Sequence, residues 1–542
     1  MESISGNIVD IHAKRIFPGT ISFNNGKITS IDENAHNYNH YILPGFVDAH
    51  VHIESSMITP YEFSRLSLPH GTIASVSDPH EIANVLGLPG IQFMLDNAKL
   101  TPFHICFGAP SCVPATDFET AGATITSKDI ELLLDNPRIG YLREMMNYPG
   151  VLNRDPEVVA KIQAAKDRNK PIDGHAPGLT GQTAEMYASV GITTDHECFT
   201  LEEALDKIDN GMKILIREGS AAKNYDALHS LITSNPKNCM FCSDDKHPDN
   251  LLIGHINELV NRSLDLGYDL FDVLTIASKN PTEHYNLPIG LLRIGDSADW
   301  IISNSIENIT INETYIKGKL VAQDGFSLLE YKETKTDSLQ VCNRDGIITD
   351  DIAIQSNSCK VNVIHCIPGQ LITNSSIEEI ISHDGFLRSD INRDILKIVV
   401  VNRYNNAKPA IGFIQGFGLK KGAIASTIAH DSHNLIAVGA DDNSIVESIN
   451  KLIECKGGIA FTDDITTVLP LDIAGLMSSK SGEHVAKLYS EIDELAKSAG
   501  CNGPAPYMAL SFMALLVIPA LKMSDKGLFD GNSFSFTPLI VH

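Results

Sequence analysis

The sequence predicts an α/β protein: a (β/α)8 barrel, a small β domain built from both sides of that barrel, and a C-terminal α+β domain. Three observations predict it. Eight short apolar runs ending in polar residues alternate with helix-like stretches from residue 46 to about residue 290. Turn-rich, strand-like segments stand on either side of that alternation. A polar stretch at 330–346 is then followed by almost 200 further residues. A chain of 542 residues is in any case too long for one hydrophobic core, so two or three domains are expected.

Residues 1–45 contain "GNIVDI", "GTISFNNGKITSID" and "YILPG", which read as short strands joined by turns. Asn25-Gly26 supplies the positive φ angles of a tight hairpin. The barrel follows over 46–290. Its eight runs are "FVDAHVH", "TIASVSDPH", "FHICFGAPS", "IGYLREMMN", "PIDGHAP", "GITTDHECF", "MKILIREGS" and "NCMFCSDD". Between them, "DPEVVAKIQAAKDRNK" and "LEEALDKIDNG" show helical spacing and good helix formers. Residues 291–345, with "GLLRIGDSADWIISN" and "TYIKGKLVAQDG", return to strand character and complete the first β domain. Residues 346–542 form the last domain, with strands in "GAIASTIAH" and "NLIAVGA".

Composition narrows the function. With 42 basic and 67 acidic residues the net charge is −25, which argues against nucleic acid or an anionic membrane as partner and for a small molecule. Ten scattered cysteines and a start without a signal-peptide pattern point to a reducing, cytoplasmic setting. The apolar run "MALSFMALLVIPAL" is too short to span a bilayer and reads as core. Cys239-x-x-Cys242 has no second Cys-x-x-Cys to complete a zinc ribbon, so buried thiols are the better reading.

Strand ends carry the chemistry. His50 and His52 are two residues apart in a strand and share one face. Two imidazoles side by side are costly to bury unless something satisfies their nitrogens, and a metal ion does so. The ends of strands four, five, six and eight add Glu144, His175, His196 and Asp244. Each has an ordinary explanation alone: Glu144 can pair with Arg143, and His175 can line a loop. Together, at matching strand ends, they make a two-metal site chemically sensible, because nitrogen and oxygen ligands suit Mn, Fe or Zn.

The pattern Pro-Gly-x-x-Asp-x-His-x-His at 44–52, with His175, His196 and Asp244, resembles the amidohydrolase superfamily. Within it, "HVHIESSM", "SDPHEIANVLG", "REMMNYPGV", "DGHAPGL", "TDHEC", "CSDDKHP", "AHDSHN" and "AGLMS" resemble the bacterial adenine deaminases over nearly the whole length. The resemblance implies that the split β domain is a β-sandwich. It implies two divalent ions, Mn(II) or Fe(II) foremost with Zn(II) as the alternative. His50, His52, Glu144 and Asp244 would hold one; Glu144, His175 and His196 would hold the other. Many hydrolases of cyclic amides carry a carboxylated lysine where this chain has Glu144, which weighs against that rival activity. A non-catalytic scaffold is weaker still, since all six ligand positions are intact.

The implied reaction is attack of a metal-activated hydroxide on C6 of adenine, giving hypoxanthine and ammonia. Asp244 would carry the proton from water to the leaving amine. Glu81 and Asp245 are further catalytic candidates, although a carboxylate early in a helix, or at its N-cap, has a structural use of its own. Glu54, His80, Arg217, Ser220, His430 and His433 are candidates for binding the substrate. For His430-Asp431-Ser432-His433 the alternatives are a polar turn, a lid over the barrel mouth or a further metal site. The expected partners are adenine and water, with no nucleic acid and no membrane, and the expected assembly is a homo-oligomer, a dimer or tetramer.

Overall fold

The computed structural model describes residues 2–336, 339–356, 358–382 and 384–541. All eight predicted runs form strands: β1 (Phe46–Val51), β2 (Thr72–Ser77), β3 (His104–Ala109), β4 (Ile139–Met145), β5 (Ile172–Gly174), β6 (Thr194–Asp195), β7 (Lys213–Arg217) and β8 (Cys239–Cys242). They are parallel, β1 to β5 in one arc and β6 to β8 in another. Thr193 N–H donates to the Ile172 carbonyl at 2.8 Å across one seam, and a parallel bridge between Val51 and Asp244 spans the other. The barrel is therefore closed.

β1, β2 and β8 are buried at every position, as expected of strands covered on both faces. β5 and β6 are much shorter than their runs. There Gly174 lets the chains approach: a Cβ at this position would lie 2.4 Å from the Thr194 carbonyl oxygen.

The chain segments before and after the barrel make one eight-stranded sheet, in which Tyr41–Leu43 pairs with Glu2–Asp10 on one side and with Trp300–Ser303 on the other. The sheet curls so that Phe23, from the early hairpin, meets Trp300 edge to face with centroids 5.2 Å apart. Asn25 and Gly26 have φ of 50° and 74°, the hairpin geometry expected of them.

The C-terminal part is built on a nine-stranded mixed sheet, including Ala423–Ser426, Leu435–Gly439 and Gly458–Thr462. Helix Asp442–Glu454 covers one face with Ile445, Ile449 and Leu452. Helix Gly482–Ser498 packs against Pro248–Ile253 and Pro60–Ser67 of the barrel. Polar ties fix this seam: Gly482 N–H donates to Glu62 at 2.9 Å, Arg65 pairs with Glu483 at 3.1 Å, and Tyr489 Oη lies 2.5 Å from His247 Nδ1.

The run 508–521 begins in helix Pro506–Phe512 and buries Leu510, Phe512, Met513 and Leu516, so it is core. Among the described residues Cys239 and Cys242 are free and buried, as are most cysteines, and no helix is long and apolar enough to cross a membrane. Within 330–346 the described residues form no helix or strand, and residues 337 and 338 lie outside the described residues.

Candidate metal centre

β1 brings His50 and His52 to the mouth of the barrel with ring centroids 5.3 Å apart. Beneath them Asp48 accepts from the His50 and Ser243 N–H groups and lies 2.8 Å from His255 Nε2, which anchors the strand end. Glu144 ends β4, His175 and His196 follow β5 and β6, and Asp244 follows β8. All six predicted ligands are buried and face one another. Asp244 Oδ1 lies 3.4 Å from His50 Nε2 and 3.2 Å from His52 Nε2. Glu144 turns its two oxygens to different partners. Oε2 lies 3.2 Å from His175 Nδ1 and 3.0 Å from His196 Nε2, while Oε1 faces His52 Nε2 at 3.8 Å.

Two arginines lie among these groups. Arg143 puts Nη2 3.0 Å from His52 Nε2 and 3.2 Å from Glu144, and its Nε lies 2.5 Å from Asp78. Arg217 donates to Asp244 at 2.7 Å and also pairs with Glu197. Its guanidinium is thus taken up by two carboxylates.

Seven carboxyl groups (Glu54, Asp78, Glu81, Glu144, Glu197, Asp244 and Asp431) are buried in this region, against the guanidinium groups of Arg143 and Arg217. Such an excess of buried negative charge is expensive unless protons or cations offset it. Protons offset part of it. Burial and the neighbouring Glu81 raise the Glu54 carboxyl to about 8. Burial alone would lower the His196 pKa, but Glu144 and Glu197 raise it to about 10. A divalent cation between the same carboxylate and imidazole atoms would supply the same positive charge. Burial and Arg143 hold the His50 pKa well below its ordinary value, which leaves this ring neutral, the form that binds metal. His52 Nδ1 and His175 Nε2 are buried without hydrogen-bond partners. The donor set fits divalent cations.

The other predicted residues surround this cluster. Glu54 lies in a short turn after β1 and accepts from Ile82 N–H at 3.3 Å. Asp245 caps no helix; it accepts from Ser55 Oγ at 2.5 Å and lies close to His52 and Asp244. His80 contacts Asp78 and lies 3.4 Å from Asp431. Ser220 donates to Asn250 at 2.6 Å and accepts from His247 N–H, shaping the loop after β8. Glu81 sits in the first turn of helix His80–Leu86, with Oε1 2.7 Å from His430 Nδ1 and Oε2 in contact with His433 Nε2. The segment 429–434 thus reaches from the C-terminal sheet into the barrel mouth, and Asn434 ties it there through Thr120.

Sequence reasoning missed Glu197, Asp78 and the central position of Arg143, while it places Asp431 only in a candidate lid or metal segment. Each is one or two residues from a predicted site residue, in "TDHEC", "SDPH", "AHDSHN" and "LREM". An acid beside a ligand was the signal available, and only the fold shows which way it points.

Residues 41–321 match the amidohydrolase family, and residues 370–535 match the adenine deaminase C-terminal domain. An adenine deaminase of Sulfurovum sp. is 52% identical over 535 residues, covering 98% of both chains. One from Salinibacter ruber is 47% identical over 541 residues, covering 99% of each. Among solved structures, a D-hydantoinase from Thermus sp. matches with a TM-score of 0.47 at 15% identity, covering 60% of this chain and 96% of that one.

Proposed function

The chain belongs to the adenine deaminase family of amidohydrolases, and on that premise we propose how the barrel mouth converts adenine and water to hypoxanthine and ammonia. It is a metal-dependent hydrolase. In this reading His50, His52, Glu144 and Asp244 hold one divalent cation, and Glu144, His175 and His196 hold a second. Mn(II) or Fe(II) suits the nitrogen and oxygen donors, with Zn(II) as the alternative. The observation that carries the reading is the divided aim of Glu144, one oxygen toward His52 and the other toward His175 and His196.

Bound there, divalent cations supply Lewis acidity that brings the pKa of water toward neutrality. Asp244 then takes the proton of the attacking water and passes it to the amine leaving C6. Arg217 keeps this carboxylate ionised and fixes the oxygen that it contacts. Glu81 and Asp245 line the substrate side: Asp245 faces a ring nitrogen, and Glu81 holds His430 against the base. The C-terminal sheet covers the mouth and excludes bulk water, which strengthens each of these interactions.

A cytoplasmic location and a homo-oligomer belong to the same reading. The free cysteines support the first, and exposed Ile377 and Ile381 on strand Thr373–Ile381 support the second.

The test is ammonia release from adenine, adenosine, guanine and cytosine by protein loaded in turn with Mn(II), Fe(II) and Zn(II). Adenine should be consumed, fastest with Mn(II) or Fe(II). No ammonia from adenine with any of the three would overturn the reading.

A further inference from the structure

Helix Leu201–Asp209, which follows β6, places Glu203 and Lys207 four positions apart on one face, in contact at 2.7 Å. Both are buried, as is Asp195, the last residue of β6. Each of the two carboxylates accepts one backbone N–H from the segment after β5 and one from the segment after β6. Asp195 Oδ2 accepts from Ala176 at 3.1 Å, and its Oδ1 accepts from Glu197 at 2.6 Å. Glu203 accepts from Gly178 at 2.8 Å and from Phe199 at 3.3 Å. Lys207 Nζ joins the two acids: it lies 3.0 Å from Asp195 as well, and donates to the Ala176 carbonyl at 2.7 Å.

We propose that Asp195, Glu203 and Lys207 are positioning residues for the second cation, a charged clamp that holds the loops carrying His175 and His196 at one spacing and so sets the affinity of that ion. The inference rests on the two-cation reading given above.

Topology is the first argument. β5 and β6 have three and two residues and belong to different arcs of the barrel, so no strand ladder fixes the distance between the histidines that follow them. The clamp bonds the residues directly after both, Ala176 and Glu197, and the two rings stand with centroids 5.3 Å apart.

Energetics is the second. Burying three charged side chains gains little net stability, and apolar residues of similar volume would pack a helix against a barrel as well. Apolar residues could not accept four N–H groups from two loops, which is what these carboxylates do.

Selectivity is the third. The ligands of the first cation have other anchors: Asp48 holds the end of β1, and the bridge between Val51 and Asp244 ties β8 to it. Loosening the clamp should therefore release the second ion and spare the first.

In the experiment, Mn(II)-loaded wild type, Asp195→Asn and Lys207→Met are equilibrated with graded free Mn(II), and bound metal is counted by atomic emission. Asparagine keeps the size of Asp195 but has one acceptor oxygen for two loops. In Asp195→Asn one ion should dissociate at about 10–100-fold higher free Mn(II), the usual effect of a lost partner behind a ligand, and the other within a few-fold of wild type. The ion that stays should give the same Mn(II) resonance spectrum as in His196→Asn, which removes a ligand of the second site outright. Lys397→Met, which breaks a buried pair with Asp442 in the C-terminal part, should bind both ions as the wild type does. Unchanged binding in Asp195→Asn, or equal weakening of both ions, would overturn the clamp, whether or not the Lys207→Met chain folds. So would selective loss of one ion in Lys397→Met. If the wild type itself binds a single ion, the two-cation reading fails instead, so the two failures are distinguishable.

Discussion

Glu144 and His196 meet at 3.0 Å, Oε2 to Nε2, although they are 52 positions apart in sequence and their strands are neighbours of neighbours in the barrel. That contact, with the second Glu144 oxygen turned toward His52, makes Glu144 the shared ligand of the proposed two-cation site.

If Glu144 serves both proposed cations, Glu144→Gln should cost both. The metal content of purified protein, read by atomic emission, should fall below half of the wild-type value. Turnover should fall by more than about 100-fold, the range that changes behind the ligands already reach. Full retention of two ions would rule out a bridge.

Asp244→Asn keeps the shape of the side chain but removes the proton acceptor. Turnover of adenine should drop by about 10²–10⁴-fold, the usual contribution of a positioned acid–base group. Binding of hypoxanthine, followed by calorimetry, should remain within a few-fold of wild type.

Arg217→Met removes a buried cation from between Glu197 and Asp244. An orphaned buried charge costs about 3–5 kcal/mol, so the melting temperature should fall clearly. The double variant Arg217→Met/Glu197→Leu should recover part of that loss, since it also removes one of the unpaired carboxylates.

His247 joins the barrel to Tyr489 of the C-terminal helix, and burial pushes its pKa down to about 3. The unfolded ring titrates near 6.5, so the unfolded chain takes up this proton first. The stabilisation is complete above pH 6.5 and is lost as the pH falls from 6.5 toward 3, amounting to at most about 4–5 kcal/mol. His247→Asn keeps an acceptor for Tyr489 and cannot be protonated. Its melting temperature should change less between pH 6.5 and 4 than that of the wild type; parallel curves would remove His247 from the acid response.

The barrel was legible because each of its eight runs combines a short apolar stretch with a polar end, a local pattern that survives without knowledge of the neighbours. The six ligand candidates were legible for the same reason: His50 and His52 share a strand face by periodicity, and the other four stand where strands end. The lengths of β5 and β6 were not, because Gly174 trades strand pairing for a close approach that only the neighbouring strand reveals.

By itself, then, the sequence determined the order of the barrel elements and a set of candidate side chains at their ends, which follow from spacings of a few residues, while the kind of chemistry came from the family resemblance. Tertiary structure alone decided that Arg143 would stand among the histidines, that Arg217 would pair with both Asp244 and Glu197, and that His430 and His433 would close on Glu81 from some 350 residues away. The reason is that a buried charge is placed by whichever opposite charge the fold brings within reach, and no local pattern records that distance.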